Sequence, residues 1–385
     1  MHLLFSVMLA VVSIVPGLYR DENGHSVYAA VEVEDTPAVD WLDPVNQHDG
    51  VLTALPKTWR LERQIYEKRL TVNAPEGRLG VSLYYADRKR RATVILIHGN
   101  DNETREMGYL IPMFALNGVD VVSYDQRGTG ESTGSWRENG PEQRATDVSA
   151  IYDALQREPY VDPKRIGLWG FSNGGWTAPI VSLQRRIAFM MLVGAPASSI
   201  ADNVYYEIRQ EGPHRGFDWA TTDQAVTTMR TLLDAVAGSG TWENAARQYD
   251  AVRHQPWLAA LNLSPTMTIP PPPQRIEALR RAYIYDPAQT LARVTVPTLA
   301  LYGELDRAVD ATHDAPALQR AFEKAGMTDL TLHVYPHAGH ALFVSQTGFP
   351  DQRSAPRRRV PGYSQIMIGW LEARGFTRGL ELSAR

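Results

Sequence analysis

The segment Ile166-Gly167-Leu168-Trp169-Gly170-Phe171-Ser172-Asn173-Gly174 constrains this chain more than any other. A short apolar run ends in G-x-S-x-G, and a helix-length stretch follows. A serine on so tight a strand-to-helix turn takes a strained backbone, with its hydroxyl pushed out above the sheet. The flanking positions must be small, because the strand and helix backbones pass close to each other. Gly170 and Gly174 meet that demand, and Gly175 extends it into the helix. Alone the pentapeptide is a weak signal, since glycine and serine are common in turns. Its weight comes from the rest of the chain.

Around the elbow, strands alternate with helices. Residues 65–72 and 79–85 alternate as strands joined by a turn at Asn73-Ala74-Pro75-Glu76-Gly77. Thr93 to Ile97 is a continuous apolar and β-branched run, as in a strand buried on both faces. Val119 to Ser123 reads the same way, with Asp120 near its start, where a carboxylate can still reach water. Pro141 opens a helix whose Ala145, Val148, Ile151 and Leu155 form one stripe. Further strands are expected at 189–193, 298–302 and 330–335, and a closing helix at 363–371. This rhythm implies an α/β fold with a doubly wound, mostly parallel sheet. The interval 201–285 breaks it: Ala225, Val226, Met229, Leu232, Leu233 and Val236 make a helical stripe, and Ile276, Leu279 and Tyr283 a second. We read it as a helical cap insertion over the carboxyl ends of the strands, with core segments at 62–200 and 286–385. Its aromatics Tyr205, Tyr206, Trp219, Trp242 and Trp257 are expected to form a small core.

The 385 residues suffice for one large domain with an insertion. A formal charge of -4 gives no reason to expect nucleic acid or a membrane surface as partner. The absence of cysteine excludes disulfides and thiol catalysis. Leu3 to Leu18 is uncharged and mostly apolar, too short for a comfortable membrane span. Residues 1–29 are read as a signal peptide cut after Val27-Tyr28-Ala29, which implies export, and residues 30–61 as an extended lead-in.

A serine hydroxyl needs a base within hydrogen-bond reach, and the base needs an acid to fix its tautomer. Both belong on loops at the carboxyl edge of the sheet. His340 follows the strand 330–335, and Asp306 follows the strand 298–302. The order Ser172, Asp306, His340 is the Ser…Asp…His order of one serine-hydrolase fold. Asp202, Asp310 and Glu304 are alternative acids, and His337 an alternative base. The oxyanion hole needs two backbone N–H groups. Asn173 supplies one, and Asn100, in His98-Gly99-Asn100-Asp101 after Ile97, the other. His98 is read as structural, and Asp125 and Arg127 as braces of their loop. His337 and His340 lie three apart, but no carboxylate motif accompanies them, so neither a metal nor a cofactor is expected.

Together these segments resemble the α/β-hydrolase superfamily. Tyr124-Asp125-Gln126-Arg127-Gly128-Thr129-Gly130-Glu131-Ser132 resembles the turn after the fourth strand of many members. Gly303-Glu304-Leu305-Asp306 is similar to the family's acid turn, and Gly339-His340 to its histidine turn. The resemblance covers residues 62–200 and 286–375, within which the Ser-Asn-Gly-Gly-Trp elbow and the Asp-Gln-Arg-Gly-Thr-Gly loop resemble those of bacterial esterases and of serine peptidases of the dipeptidyl-peptidase-like branch. Those peptidases carry a propeller or jelly-roll domain, for which this chain offers no room and no strands. The resemblance therefore implies a serine hydrolase of small-molecule carboxylic esters, of the carboxylesterase class. A peptidase or amidase with the same triad, or a silent binding protein on the same scaffold, are the alternatives.

Overall fold

The computed structural model describes residues 17–22, 26–32, 38–42, 49–52, 60–100, 103–260, 266–349 and 359–378. Among them two sheets form. The smaller is antiparallel: β1 (Gly17–Arg20), β2 (Ser26–Glu32), β3 (Ala38–Leu42), β4 (Asp49–Leu52) and β5 (Arg60–Gln64), in the order β4-β3-β2-β1-β5. The sequence reading expects a leader and an extended lead-in here. Residues 1–16 and the prolines Pro37, Pro44 and Pro56 lie outside the described residues. Leu18 of β1 is buried with Ile65 beside the first helix.

The larger sheet contains β6 (Tyr66–Ala74), β7 (Gly77–Tyr85), β8 (Arg91–Ile97), β9 (Val119–Tyr124), β10 (Val161–Phe171), β11 (Met190–Val193), β12 (Thr298–Gly303) and β13 (Leu330–Tyr335). Its order is β13-β12-β11-β10-β8-β9-β7-β6. The strands from β13 to β9 are parallel, and β7 and β6 are antiparallel at one edge. Helices cross between parallel strands: α1 (Leu110–Leu116), α2 (Pro141–Leu155), α3 (Gly174–Gln184), and the α10 (Ala311–Lys324) that joins β12 to β13. The last described helix is Tyr363–Ala373 (α11).

Strand alternation divides the core between the two faces. Ile95, Ile97, Val122, Leu168 and Leu192 pack under α2, α3 and α10. Val94, Leu96, Val121, Trp169 and Val193 pack under α1 and α11. Burial of both faces explains why the central strands read as unbroken apolar runs. The chain leaves β8 toward β9 on one side and later returns to β10 on the other. That reversal opens a crevice at the carboxyl ends of β8 and β10, where open α/β sheets bind ligands.

Between β11 and β12 the described chain is helical: α4 (Ile200–His214), α5 (Trp219–Ala237), α6 (Trp242–Val252), α7 (Pro256–Ala260), α8 (Pro273–Tyr283) and α9 (Ala288–Leu291). Ser199 caps α4 and Asp218 caps α5, each accepting a first-turn N–H. Tyr205, Tyr249 and Trp257 form the small core, together with Ala225, Val226 and Leu233. Trp219 does not join them; it is 64% exposed on the first turn of α5. Asp120 also departs from expectation. It is fully buried rather than open to water. Arg91 and Thr377 crowd against Gly118, closing the strand start that the sequence leaves open.

Candidate active site

The elbow forms at the end of β10. Ser172 has φ of 51°, in the left-handed region that non-glycine residues rarely enter. Such strain costs about 1–3 kcal/mol and persists only where the surroundings over-determine it. They do so here. The Ser172 N–H donates to the Val193 carbonyl at 3.0 Å, and the Gly175 N–H to the Ser172 carbonyl at 2.7 Å. A Cβ on Gly170 would lie 2.6 Å from the Gly174 carbonyl oxygen, and one on Gly174 would lie 2.5 Å from that of Ile97. The backbones therefore approach as closely as the sequence reading requires.

His340 and Asp306 meet. His340 Nδ1 lies 2.8 Å from Asp306 Oδ2, and the Asp306 side chain is fully buried. Its other oxygen accepts the N–H groups of Ala308 and Val309, each at 2.8 Å. The imidazole remains partly open and lies 4.8 Å, centroid to centroid, from the Phe171 ring. A Cβ on Gly194 would sit 3.1 Å from His340 Nδ1. Gly194 follows Val193, whose carbonyl holds Ser172, so the serine and the imidazole stand at the same strand end. The alternative groups are engaged elsewhere. Asp202 bonds to Ser199 at the start of α4, Asp310 caps α10, and Glu304 accepts the His337 N–H.

The loop after β8 lies alongside. A Cβ on Gly99 would be 3.5 Å from Ser172 Cβ. His98 is fully buried, with Nε2 at 2.6 Å from the Tyr124 carbonyl and Nδ1 at 3.0 Å from Glu103. Burial pushes the Glu103 carboxyl up, but the His98 hydrogen bond and charge, Arg144 and the Gly99 N–H outweigh it and hold it below its usual range. The side chains of Asn100 and Asn173 are joined, Asn173 Nδ2 donating to Asn100 Oδ1 at 3.3 Å. Asp125 holds Arg105, and Arg127 holds Asp147, so those residues brace their loop.

One face of α4 lies against the acid loop. Tyr206 Oη donates to the Asp306 carbonyl at 2.7 Å, and Arg307 Nη1 to Gln210 Oε1 at 3.0 Å. Farther along α4, His214 stacks on Phe349 with ring centroids 3.7 Å apart. On the same face stands Glu207, which accepts from Asn203 at 2.8 Å. Glu207 stays open to water, yet desolvation by the surrounding protein pushes its carboxyl up to about 7, against the pull of the His340 charge. Sequence reasoning missed Tyr206 as a link to the acid loop, Glu207 as a neighbour of His340, and Arg144 behind Asn100. For Arg144 a signal existed: it falls beside the apolar stripe of α2, where a charge needs a buried partner.

A model of the family described as Serine aminopeptidase, S33, matches residues 88–346. Curated relatives align over shorter stretches. Thiohydrolase aneE of Aspergillus aculeatus is 37% identical over 90 residues, 22% of this chain and 27% of that protein. Polyketide transferase claH of Penicillium crustosum is 34% identical over 94 residues, 24% of this chain and 30% of that protein. The chain thus spans less than a third of the length of either relative. A solved structure of DcsB in complex with its substrate analogue is 17% identical, with a TM-score of 0.50, over 82% of this chain and 100% of that one. That likeness concerns the fold.

Proposed function

The chain belongs to the Serine aminopeptidase, S33, family of α/β-hydrolases, and from that premise we propose that it cleaves carboxylic esters through an acyl-enzyme on Ser172. Ser172 Oγ attacks the acyl carbon, and its proton passes to His340. Asp306 holds the Nδ1 side of the imidazole, which fixes the tautomer and stabilises the cation that forms. The N–H groups of Asn100 and Asn173 receive the oxyanion. As the C–O bond breaks, His340 returns the proton to the leaving alkoxide. Water, deprotonated by His340, then attacks the acyl-enzyme; the acyl–Oγ bond breaks as His340 hands that proton to Ser172 Oγ, and the free acid leaves. No step calls for a metal or a cofactor.

The observation that carries this reading is the 2.8 Å contact of His340 with a buried, doubly backbone-bonded Asp306, at the strand end where Ser172 is held at positive φ. Two likenesses bear on the bond cleaved. The thiohydrolase names among the relatives favour a thioester as the next substrate to try, and the family description favours an aminoacyl amide. Parallel rates on p-nitrophenyl acetate, an acetyl thioester and an aminoacyl p-nitroanilide separate the three. The ester is expected to be fastest, and Ser172→Ala to lose about a thousandfold or more on whichever substrate turns over. Faster anilide cleavage would make the protein a peptidase. No turnover of any of them would leave a silent scaffold.

The helices between β11 and β12 act, in this reading, as a cap over the site. Export is part of the same proposal, without the expected cut before Ala30, because that cut would divide β2 and remove β1, whose Leu18 is buried. Intact mass of the secreted product tests it; a chain that stays in the cytoplasm and begins at Met1 would overturn it.

A further inference from the structure

We propose that Arg144 is a positioning residue for the oxyanion hole: its guanidinium, helped by Gln126, holds the Gly99–Asn100 peptide so that the Asn100 N–H faces the reacting carbonyl. The inference rests on the serine-hydrolase reading above and adds to it the element that aims one of the two donors.

The peptide bond itself sets the constraint. A trans peptide is planar, and its C=O and N–H point in opposite directions. The Gly99 carbonyl and the Asn100 N–H belong to one such plane, so whatever fixes the oxygen fixes the direction of the donor. Two buried side chains converge on that oxygen. Arg144 Nη1 donates to it at 2.6 Å and Gln126 Nε2 at 3.2 Å. The loop has little of its own to set the plane. Residue 99 is glycine because Phe171 and Ser172 crowd it, with 3.2 Å to Phe171 from a Cβ built there. That absence of a side chain also frees the backbone to rotate. An outside grip is therefore needed, and α2 supplies it.

The same guanidinium reaches farther. Arg144 Nη2 lies 3.4 Å from Asn100 Oδ1, the oxygen that also accepts from Asn173 Nδ2 at 3.3 Å. Asn173 carries the other oxyanion donor, so one planar fork ties together the residues on both sides of the hole. On the preceding peptide the Gly99 N–H bonds to Glu103, whose carboxylate also feels the Arg144 charge. The loop is thus held at successive peptides by oppositely charged groups. A lysine could reach one acceptor but could not present two parallel donors from a rigid plane.

The test compares wild type with Arg144→Met, Arg144→Lys and Gln126→Leu. It measures kcat and KM on p-nitrophenyl acetate and the affinity for phenylboronic acid, which becomes tetrahedral on a serine. A misaimed donor weakens the transition state and leaves ground-state binding nearly intact. Arg144→Met is expected to lower kcat by about tenfold to a hundredfold and boronate affinity by a similar factor, with KM within about twofold. Arg144→Lys should recover part of the loss, and Gln126→Leu should lose about threefold, in keeping with its longer bond. Circular dichroism and the melting temperature report folding. A folded Arg144→Met enzyme with wild-type kcat and boronate affinity overturns the proposal. If the methionine variant does not fold, the lysine and leucine variants decide: unchanged kcat and boronate affinity in both overturns it equally. Ser172→Ala runs beside them. Full activity in that variant would sink the serine reading itself, whereas a dead Ser172→Ala beside a fully active Arg144→Met sinks the positioning role alone.

Discussion

Two aspartates are buried at opposite ends of the same parallel sheet, and they are treated in opposite ways. Asp306, past the carboxyl end of β12, has His340 on one oxygen and two backbone N–H groups on the other. Asp120, at the amino end of β9, has no hydrogen-bond partner for either oxygen among the described residues. Burial pushes its carboxyl up to about 8, with Arg91 only partly opposing. Opposite it in the register, on β8, the Thr93 hydroxyl is also buried and, among the described residues, without a hydrogen-bond partner. One end of the sheet is built to place a charge and the other to exclude one. In parallel sheets the loops at the carboxyl ends are free to bring donors together. At the amino ends of β8 and β9 the strand register leaves no backbone donor aimed at Asp120.

Variants at the two ends should therefore fail differently. Asp306→Asn keeps the shape of the acid loop but cannot hold the imidazole in the required tautomer. It should lower kcat by about a thousandfold to ten-thousandfold with little change in melting temperature. A drop of tenfold or less would break the contrast at its functional end.

Asp120 should show itself in stability instead. Its folded carboxyl titrates near 8, while an unfolded aspartate titrates at about 3.9. Between those values the native state keeps a proton that the unfolded chain releases, so stability is greatest below pH 4 on this account and falls as pH rises toward 8. The effect is worth several kcal/mol at its limit. Asp120→Asn should remove it, so that its melting temperature exceeds that of wild type by a margin that grows between about pH 5 and 8 and levels off above it, with esterase activity retained. Parallel melting curves for the two proteins would contradict this.

A smaller effect is expected from α4. Glu207 titrates near 7 beside His340, with Asp306 and Glu211 adding negative charge and the Asn203 amide donating to it. Once ionised, it favours the imidazolium. In Glu207→Gln that support is gone, the histidine loses its proton more readily, and the acidic limb of kcat/KM should move to lower pH by up to about one unit. An unmoved limb would show that the helical wall does not reach the base. Tyr206→Phe should do least. It removes one hydrogen bond to the Asp306 carbonyl, worth about 1 kcal/mol, and should lower kcat only a few-fold.

The carboxyl end of the sheet was legible in the sequence because its backbone leaves few choices of residue. Gly170 and Gly174 are required by closeness, Ser172 by the turn, and the proposed acid and base by their place after strands. The proposed oxyanion donors, Asn100 and Asn173, were read from the same geometry. Legibility ended where side chains meet across long intervals. The apolar run of β9 gave no sign that Arg91 and Thr377 close over its start, so Asp120 looked accessible. The stripe of α5 marked a helix but not that Trp219, on its first turn, faces outward. Tyr206 looked like core and instead ties α4 to Asp306. The antiparallel sheet of β1 to β5 depends on β1 pairing with β5 across the intervening strands, and alternation within each short run carries no record of such a partner.

The most direct test of the central claim is covalent. A fluorophosphonate reacts with a serine only where a base and an oxyanion hole activate it. Incubation of the intact protein, followed by peptide mapping, should place one adduct on Ser172, with labelling slowed about a hundredfold or more in His340→Ala. An adduct on another residue, or a His340→Ala protein that labels at the wild-type rate, would contradict the account.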